Sequence, residues 1–494
     1  MNTLNKETAK QLASSATILN GGALDVENQI VHIGIGGFHR SHQAFALAKL
    51  INTDPEQYQK WQITGVGLMP NDLKLVEHFN QQDHIYALRT IAYDKKEKTY
   101  LISTIKDMLH SSLNTQGIID KIANPNTKII SFTITEGGYL VDFDKNQFQI
   151  DNVDIQYDLQ HRGRPRTVFG FLAAGLAARM AQGGTPLIMM SCDNILGNGD
   201  VLRLALLSFL EAYDTQIREW VASEFTFPNS MVDRITPITT EKDKDNFEEQ
   251  YGLRDNCLVV SEDFFQWVIE MPASHDDFPP LDQVGVQFVQ HVAPYEGMKL
   301  GILNAGHTLV GLLGDAFGYD RIHDAVQDRT IWKLFELFVD KEVIPVLEPI
   351  DGVDFKQYFE QVRTRFANPM INDSTARIIS GTSDKFPKFV LPTIQKQLKR
   401  NDSRIDISAL IVALWWKYLN KQMWDDNMAY VQDSLKEEWL RVFQDELDSA
   451  DDFLAYSPVF GELSDITNFN SKYKDAIAAI RENRLGQYID TILF

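Results

Sequence analysis

Three side chains able to exchange protons or hydrogen bonds lie close together in an otherwise apolar, glycine-rich stretch, residues 294–314: Lys299, Asn304 and His307. At about 100° per residue, an α-helix puts Asn304 roughly 140° and His307 roughly 80° from Lys299, so all three project from one side. A lysine buried beside a ligand loses proton affinity and can act as a base near neutral pH. The alternative is structural, with a lysine at a solvent edge and a hydrogen-bonded histidine and asparagine in the core.

A glycine turn near the N-terminus predicts a phosphate-binding element. Residues 30–33 form an apolar strand candidate, directly followed by Gly34, Gly36, Gly37 and Phe38. Glycines let the backbone approach a pyrophosphate, and the next helix offers free N–H groups and the positive end of its dipole. The third glycine of the G-x-G-x-x-G pattern is replaced by His39. The motif alone therefore does not separate a dinucleotide site from an ordinary β–α turn.

Two charged residues are candidate cofactor ligands near this turn. Arg40 would help to neutralise the phosphates; the alternative is a surface arginine. Asp72 is the carboxylate nearest the end of the second strand candidate, where an acidic residue binds the ribose hydroxyls and favours NAD. It lies farther along the chain than the usual spacing, which leaves NADP open.

The segment SCDN, residues 191–194, follows a predicted buried strand, where parallel-sheet proteins place ligand-binding residues. Asn194 can donate an amide hydrogen bond to a developing alkoxide. The alternative for Asn194 is an Asx turn. Cys192 is interpreted as a packing residue.

Strand candidates separated by helical or polar stretches indicate the architecture of the first half of the chain. They recur at residues 61–68, 99–105, 128–135 and 186–191. Such alternation predicts a mostly parallel sheet covered on both faces. Thr167 is predicted to cap the N-terminus of a helix, and Gly183 and Gly184 are predicted to end it.

Beyond about residue 290 the periodicity becomes helical. Ser434 and Glu437 have the spacing of a capping box. The apolar residues of the same predicted helix share one face, and they are Leu435, Trp439, Val442, Phe443 and Leu447. We therefore expect an α/β chain with a dinucleotide-binding domain over residues 1–290 and a mostly α-helical domain over residues 291–494. The charge-rich segment 240–256 is expected to be a solvated helix or loop.

The composition restricts the function classes. A net charge of −21 disfavours nucleic acid and anionic membranes as partners, because like charges repel. Two cysteines in 494 residues favour a reducing compartment and predict neither a disulfide framework nor a conventional zinc site. We find no signal peptide and no apolar run near the ~18 residues that a membrane span needs, so the expected location is cytoplasmic.

Six strings in consistent order resemble the mannitol dehydrogenase family, the polyol-specific long-chain dehydrogenases. They are GIGGFHRSH, TITEGGY, SCDN, FPNSMVDRITP, PYEGMKLGILNAGH and PKFVLP. The resemblance covers nearly the whole chain. It implies a Rossmann-type N-terminal domain, a mostly helical C-terminal domain, and metal-independent oxidation of a sugar alcohol by NAD in the cleft between them. Family members are commonly monomeric.

The resemblance also implies residue roles. Lys299 would be the general base, Asn194 and Asn304 would hold the alkoxide, and His307 would orient a substrate hydroxyl. Substrate-binding residues would be Val232, Asp233, Arg377 and Lys385. Glu136, in TITEGGY, would lie near the nicotinamide and give protons a route to solvent.

Several substrates remain open. The strings VGVQFV and PKFVLP resemble mannitol 2-dehydrogenases more than the fructuronate and tagaturonate reductases, so D-mannitol and D-fructose are the expected pair. A uronate reductase would need a further cation for its substrate carboxylate. Gly301 and Gly306 are smaller than expected and could widen the pocket, which keeps D-arabinitol as an alternative. A protein that senses NAD without turnover would not need Lys299, Asn304 and Asn194 together.

Overall fold

The computed structural model describes residues 2–12, 15–19, 27–143, 145–271, 277–369, 371–424, 431–443 and 450–494. The chain divides into two compact units, unit 1 (Met1–Ala293) and unit 2 (Pro294–Phe494). Unit 1 contains the β-sheets, and unit 2 is helical in its described residues.

A five-stranded sheet, parallel throughout, organises unit 1. Its strands in chain order are β1 (Asn28–Ile33), β2 (Trp61–Gly67), β3 (Ile105–His110), β4 (Thr127–Phe132) and β5 (Ile188–Ser191). The spatial order is β5-β4-β1-β2-β3. The chain therefore reverses direction across the sheet between β1 and β4, and the carboxyl ends at such a switch point form the ligand crevice of doubly wound folds. The predicted parallel α/β sheet is confirmed.

One predicted strand is confirmed only in part. Residues 99–102 lie in the strand Glu97–Ile102, but the predicted strand 99–105 runs on to the start of β3 and does not form a strand of the parallel sheet. Glu97–Ile102 instead pairs antiparallel with Tyr86–Ile91 in a separate four-stranded sheet, completed by Thr17–Leu19 and Val259–Glu262. Only Ser103 and Thr104 separate the two strands, and no glycine or proline in residues 97–105 marks the change of sheet.

The remaining strands of unit 1 are short. Ser230–Asp233, Gln266–Glu270 and Gln287–Val289 form a three-stranded sheet. Asn2–Thr3 pairs with Leu253–Arg254, and Val141–Asp142 pairs with Gln147–Phe148.

The helix after the glycine turn is interrupted. The chain forms α1 (Gly37–Ser41) and then α2 (Gln43–Thr53), with His42 out of helical geometry between them. Four apolar residues at helical spacing, Ala44, Leu47, Ala48 and Ile51, are buried on α2. Because α1 has five residues, the helix dipole that the sequence predicted for phosphate binding is weaker than that of one long helix.

The other helices of unit 1 cover the sheets. The Thr167 hydroxyl accepts from the N–H of Gly170, and the helix ends before Gly183, whose φ is +67°, so the predicted cap and stop are confirmed. In the segment 240–256, residues Glu241–Tyr251 form an α-helix with a capping box at Thr240. These helices are Pro55–Tyr58, Asp72–Gln81, Thr115–Ala123, Thr135–Gly138, Val153–Gln160, Val168–Ala181, Asn198–Tyr213, Thr215–Glu224 and Glu241–Tyr251, with 3₁₀ turns at Thr8–Leu12 and Leu281–Val284.

Unit 2 is a bundle of α-helices with two π-helical segments, Lys299–Asn304 and Phe338–Val343. Its longest described α-helix is Asp406–Trp424. The other α-helices are Ala293–Met298, Ala305–Phe317, Ile322–Ala325, Arg329–Leu337, Phe355–Phe366, Thr375–Ile379, Thr382–Phe389, Leu391–Leu398, Lys436–Val442, Ala450–Leu454, Ser457–Phe460, Thr467–Arg481 and Leu485–Leu493, with 3₁₀ turns at Ile344–Val346 and Leu463–Asp465.

The predicted capping box of Ser434 and Glu437 is wrong. The Ser434 hydroxyl donates instead to Asp384 at 2.7 Å, and the helix starts at Lys436 without a side-chain cap. Asp433 accepts from the N–H of Leu435. Trp439 and Phe443 are buried as expected, and Leu447 lies outside the described residues.

A buried carboxylate, Glu342, anchors the longest helix of unit 2. It lies in the π-helical segment Phe338–Val343 and is 1% exposed. It accepts from the N–H groups of Ile407 at 2.7 Å and Ser408 at 2.9 Å, and from the Ser408 hydroxyl. Burial raises the pKa of Glu342, and the hydrogen bonds lower it. Burial is the larger effect, so the pKa is about 7.

We expect this carboxyl to make unit 2 less stable as pH rises. Its folded-state pKa lies above the ordinary 4.5, so its contribution is fully present below pH 4.5 and lost as pH rises to about 7. The full change is roughly 3 kcal/mol at ~1.4 kcal/mol per pKa unit. Urea unfolding between pH 5.5 and 8 measures it as a decline in stability relative to Glu342→Gln. A pH-independent difference between the two proteins would contradict the raised pKa.

Candidate active site

Gly34 is held against the end of β4 so closely that only glycine fits. Its φ is +101°, and a Cβ at this position would lie 2.1 Å from the carbonyl oxygen of Thr133. The Gly34 carbonyl accepts from the Thr133 hydroxyl at 2.7 Å and contacts His32 Nε2 at 2.8 Å. The Gly34 N–H donates to Val66 of β2 at 3.0 Å. The turn therefore lies at the switch point, tied to both neighbouring strands.

Gly36 and Gly37 are not forced by packing. A Cβ at Gly36 would meet no described atom within 4 Å, and one at Gly37 would make ordinary contacts with Thr236 and Val259. Gly36 is exposed and Phe38 is partly exposed. An open face above backbone N–H groups is what the approach of a pyrophosphate needs. The residues of the turn thus fit a dinucleotide.

His39, in place of the third glycine, is completely buried. Its ring stacks on that of His32 with centroids 3.4 Å apart. Helix and strand are therefore spaced by two stacked rings where a glycine would let them touch.

Arg40 requires a correction. We expected a phosphate ligand or a surface arginine, but the side chain is 7% exposed and turned into unit 1. It donates to the carbonyls of Gly36 at 3.3 Å and of Cys257, and its guanidinium lies 5.8 Å from the ring of Tyr86. Arg40 therefore supports the turn from inside. A side chain that binds the phosphates would have to lie on the outer face of the turn, where Arg40 does not.

Asp72 follows β2 and begins the helix Asp72–Gln81. Its Oδ2 accepts from the N–H of Met69 at 3.0 Å, and its Cβ would lie 2.6 Å from a Cβ placed on Gly67. The carboxylate is therefore fixed at the end of the second strand in spite of its unusual spacing. That position suits a ligand of ribose hydroxyls.

The loops after β4 and β5 place Glu136 and Asn194 at the same edge of the sheet. Glu136 lies in the short helix Thr135–Gly138, and Asn194 follows β5; both are exposed. The Asn198 side chain donates to the carbonyls of Asp193 at 2.9 Å and Ser230 at 2.8 Å. The edge strand Ser230–Asp233 is thereby attached to the β5 loop.

Val232 and Asp233 are both buried, at 4% and 6% exposed. Val232 belongs to the hydrophobic core that also contains Val259 and Ile269. Their predicted contact with substrate therefore stays a prediction.

In unit 2, the chain around Lys299 is not a regular α-helix. Residues Lys299–Asn304 form a π-helical segment between Ala293–Met298 and Ala305–Phe317. The step of 100° per residue does not hold there, since a π turn contains more residues, and Asn304 comes closer to the face of Lys299 than the α-helical projection puts it. Single π turns occur frequently at functional sites. Lys299 is 7% exposed, and Asn304 and His307 are partly buried.

His307 lies among charged residues but remains neutral. Its ring stacks on Phe366 with centroids 4.2 Å apart. Burial lowers its pKa to about 3; Asp373 opposes that shift, while Arg377, Arg365 and Lys385 add to it. A neutral imidazole can orient a hydroxyl, whereas it is too weak a base to hold a proton at neutral pH.

The structure brings Arg377 and Lys385 into the surroundings of His307, yet both are already engaged. Arg377 donates through Nε and Nη2 to Asp373. Lys385 donates to the carbonyls of Ile378 at 2.8 Å and of Ser380, at the end of the helix Thr375–Ile379. Two of the five N–H donors of Arg377 and two of the three of Lys385 are thus used within the protein.

The expectation that Gly301 and Gly306 widen a pocket is wrong. A Cβ on Gly301 would lie 2.8 Å from the side chain of Val343, and one on Gly306 would lie 2.1 Å from the ring of Phe335. At both positions, a neighbouring side chain of the unit 2 core packs against the glycine. The two glycines therefore do not support D-arabinitol as the substrate.

Sequence reasoning missed three neighbours of His307, namely Arg365, Phe366 and Asp373. Asp373 and Arg377 have the i, i+4 spacing of an ion pair, which was a usable signal. Nothing in the sequence marks Arg365 and Phe366, which come from a helix about sixty residues away.

Other sites are less promising. A surface pocket of about 390 Å³ in unit 2 is lined by residues such as Lys333, Glu336 and Lys356 and by none of the predicted site residues. In the described part of the chain, no group of three or more His, Cys, Asp or Glu residues could hold a metal ion. Among the residues that the structure describes, one continuous helical stretch, Ala293–Phe317, is long and apolar enough to cross a membrane, but 72% of its most apolar window is buried within the protein, as in a core helix.

The parallel sheet with its glycine turn, and a helical unit carrying a buried lysine, define a dinucleotide-binding oxidoreductase. Two family models match the chain, the mannitol dehydrogenase Rossmann domain over residues 28–283 and the mannitol dehydrogenase C-terminal domain over residues 291–481. The chain belongs to the mannitol dehydrogenase family. The family, the fold class and the oxidoreductase class predicted from the sequence are confirmed.

Relatives and solved structures agree. Mannitol dehydrogenase 2 of Saccharomyces cerevisiae is 39% identical over 84% of this chain and 82% of its own length. Mannitol 2-dehydrogenase of Phaeosphaeria nodorum is 36% identical over 97% of this chain and 84% of its own. The ternary complex of Pseudomonas fluorescens mannitol 2-dehydrogenase with NAD and D-mannitol has a TM-score of 0.83 and 34% identity, covering 99% of both chains. A substrate-free D-sorbitol dehydrogenase has a TM-score of 0.88 and 29% identity, covering 98% of this chain and 100% of that one.

The structure of the glycine turn predicts a loss of NAD binding for one substitution and a loss of stability for another. Gly36→Ala adds a methyl group to open space, so the melting temperature should change by less than about 2 °C. The same methyl group would occupy the face that the pyrophosphate approaches, so the affinity for NAD should fall at least tenfold. Gly34→Ala meets the Thr133 carbonyl in a strained conformation, so it should cost several kcal/mol of stability. Thermal unfolding and titration of NAD against protein fluorescence measure both effects. Unchanged affinity in Gly36→Ala would place the pyrophosphate elsewhere.

Proposed function

We propose that the protein is an NAD-dependent polyol dehydrogenase that interconverts D-mannitol and D-fructose, with Lys299 as the general base. The observation that carries the proposal is the buried lysine at the start of a π-helical turn, followed by Asn304 and His307. A secondary alcohol needs a base, an alkoxide stabiliser and a hydride acceptor to be oxidised. The bound NAD would supply the hydride acceptor.

The cofactor would be held by unit 1. Gly34, Gly36, Gly37 and Phe38 would contact the pyrophosphate side, and Asp72 would accept hydrogen bonds from the ribose hydroxyls. A fixed carboxylate at this position repels a 2′-phosphate, so NAD is preferred to NADP. Glu136, in the β4 loop, would pass protons to solvent.

The substrate chemistry would be divided among side chains that each do one task. Lys299 takes the hydroxyl proton. The amides of Asn194 and Asn304 donate to the oxygen as it becomes an alkoxide, each worth up to a few kcal/mol. His307 orients a neighbouring hydroxyl as a neutral imidazole, and Val232, Asp233, Arg377 and Lys385 complete the substrate contacts.

The hydrogen bonds of Arg377 and Lys385, two of the three cations near His307, favour an uncharged substrate over a uronate; the third cation is Arg365. The Arg377 guanidinium is paired with Asp373, and the Lys385 ammonium is held by two backbone carbonyls. A substrate carboxylate would have to compete with a carboxylate already in place. This supports a polyol and disfavours a fructuronate or tagaturonate reductase.

The reaction is tested by NADH absorbance with D-mannitol, D-arabinitol, D-sorbitol and D-mannonate, each with NAD and with NADP. We expect D-mannitol with NAD to give the highest kcat/KM and Lys299→Ala to lower kcat at least a thousandfold. Preference for D-mannonate would make the protein a uronate reductase. Absence of turnover with every pair would refute the dehydrogenase assignment and favour a non-catalytic NAD sensor.

The role of His307 is tested by the pH profile. Because its pKa is about 3, its ring is already neutral across the working range, and the acid limb of kcat/KM should belong to another group. His307→Asn should therefore raise KM at least tenfold and leave the apparent pKa of that limb in place. Loss of the limb in this variant would make His307 the proton acceptor.

Two further proposals follow from the composition and the family. We propose a cytoplasmic, monomeric enzyme whose partner is its small-molecule substrate, without nucleic acid or membrane. Size-exclusion chromatography with light scattering tests the monomer: a mass near 56.3 kDa is expected, and twice that mass would contradict it.

A further inference from the structure

A buried carboxylate, Asp193, joins the loops that follow β4 and β5. Its side chain is 8% exposed. Oδ2 accepts from the N–H of Ile134 at 3.0 Å, and Oδ1 accepts from the N–H of Thr135 at 2.8 Å. The Tyr139 hydroxyl donates to Oδ2 at 2.7 Å. One side chain of the β5 loop therefore binds three donors of the segment after β4.

The segment after β4 has a backbone shape that needs support. Thr135 has a φ of +62°, and Leu140 has a φ of +52°. The left-handed region is unfavourable for a β-branched residue, which persists there only when its surroundings hold it. The N–H of Thr135 is itself bonded to Asp193. The carboxylate thus acts at the strained residue.

Asp193 is in turn fixed from the side of β5. Its carbonyl accepts from the Asn198 amide at 2.9 Å, and its N–H donates to the Ser191 hydroxyl at 3.3 Å. Strands β4 and β5 are hydrogen-bonded neighbours, so the two loops leave the sheet side by side. Asp193 therefore is a rigid anchor to which the other loop is attached.

The residues that follow these two anchor points are the ones with proposed roles. Asn194 follows Asp193, and Glu136 follows Thr135. We propose that Asp193 is a positioning residue that fixes Asn194 and Glu136 relative to each other by holding the β4 loop on the β5 loop. The inference rests on the proposed function, in which Asn194 binds the alkoxide and Glu136 conducts protons.

The arrangement depends on an acceptor at both oxygens. A carboxylate accepts at Oδ1 and Oδ2, whereas an asparagine of the same shape accepts at one atom and presents donors at the other. In Asp193→Asn, either Thr135 or the pair Ile134 and Tyr139 would face an amide that cannot accept. The loop should then relax without a large change in side-chain volume.

The test compares Asp193→Asn with Tyr139→Phe, which removes the hydroxyl contacts with Asp193 and Ser191 and leaves both backbone bonds to Asp193. In Asp193→Asn we expect kcat for D-mannitol to fall at least tenfold, with the dissociation constant for NAD within threefold of wild type. Amide exchange in residues 134–139 should accelerate at least tenfold. Tyr139→Phe should keep kcat within threefold. A loss of NAD binding equal to the loss of kcat in Asp193→Asn would overturn the proposal in favour of general unfolding of the edge.

A second substitution separates positioning of the loop from other effects of the charge. Glycine adopts a φ of +62° without strain, so Thr135→Gly in the Asp193→Asn background should recover at least threefold of the lost kcat. No recovery would contradict a role through Thr135. If the wild-type protein turns over none of the polyols, the proposed function fails, and amide exchange alone decides whether Asp193 holds the loop: unchanged exchange in Asp193→Asn would refute it.

Discussion

The close approach of Gly34 to Thr133 is the constraint on which the arrangement of unit 1 depends. A β-carbon on residue 34 would lie 2.1 Å from the Thr133 carbonyl, and the Gly34 carbonyl is hydrogen-bonded to the Thr133 hydroxyl. This contact brings the ends of β1 and β4 together at the switch point, so the glycine turn and the β4 loop share one crevice. The short α1 helix supports this geometry through two of its side chains, since Arg40 donates to the Gly36 carbonyl and His39 stacks on His32 of β1.

The sequence was informative where one local rule decides the structure. Alternating apolar strands and glycine stops predicted the sheet and the Thr167-capped helix, and the turn at Gly34 was found from its spacing. Local rules failed at Arg40, whose charge suggested solvent or phosphate, because one of its partners, the Cys257 carbonyl, comes from a distant part of the chain. They failed again at residues 99–105, where no glycine or proline marks the change from one sheet to another.

In unit 2, the residue types of the site were predictable and their geometry was not. The pattern of Lys299, Asn304 and His307 indicated a base with hydrogen-bonding neighbours, but no propensity rule marks a π-helical segment. The engagement of Arg377 with Asp373 was visible as an i, i+4 pair. The hydrogen bonds of Lys385 to the carbonyls of Ile378 and Ser380 could not be predicted, since nothing in the neighbouring sequence distinguishes this lysine from one on the surface.

These engagements bear on how the protein would select a substrate. The space beside Gly301 is occupied by Val343, and the space beside Gly306 is occupied by Phe335. The small size of these glycines therefore does not enlarge the site. Selection by substrate length therefore has no support from these residues. Charge is different, because a carboxylate entering near His307 would meet Asp373, and two of the three nearby cations, Arg377 and Lys385, are already hydrogen-bonded. The cost of breaking those bonds would fall on a uronate and not on a polyol, whose hydroxyls can accept from the other N–H donors of these two residues without displacing a partner.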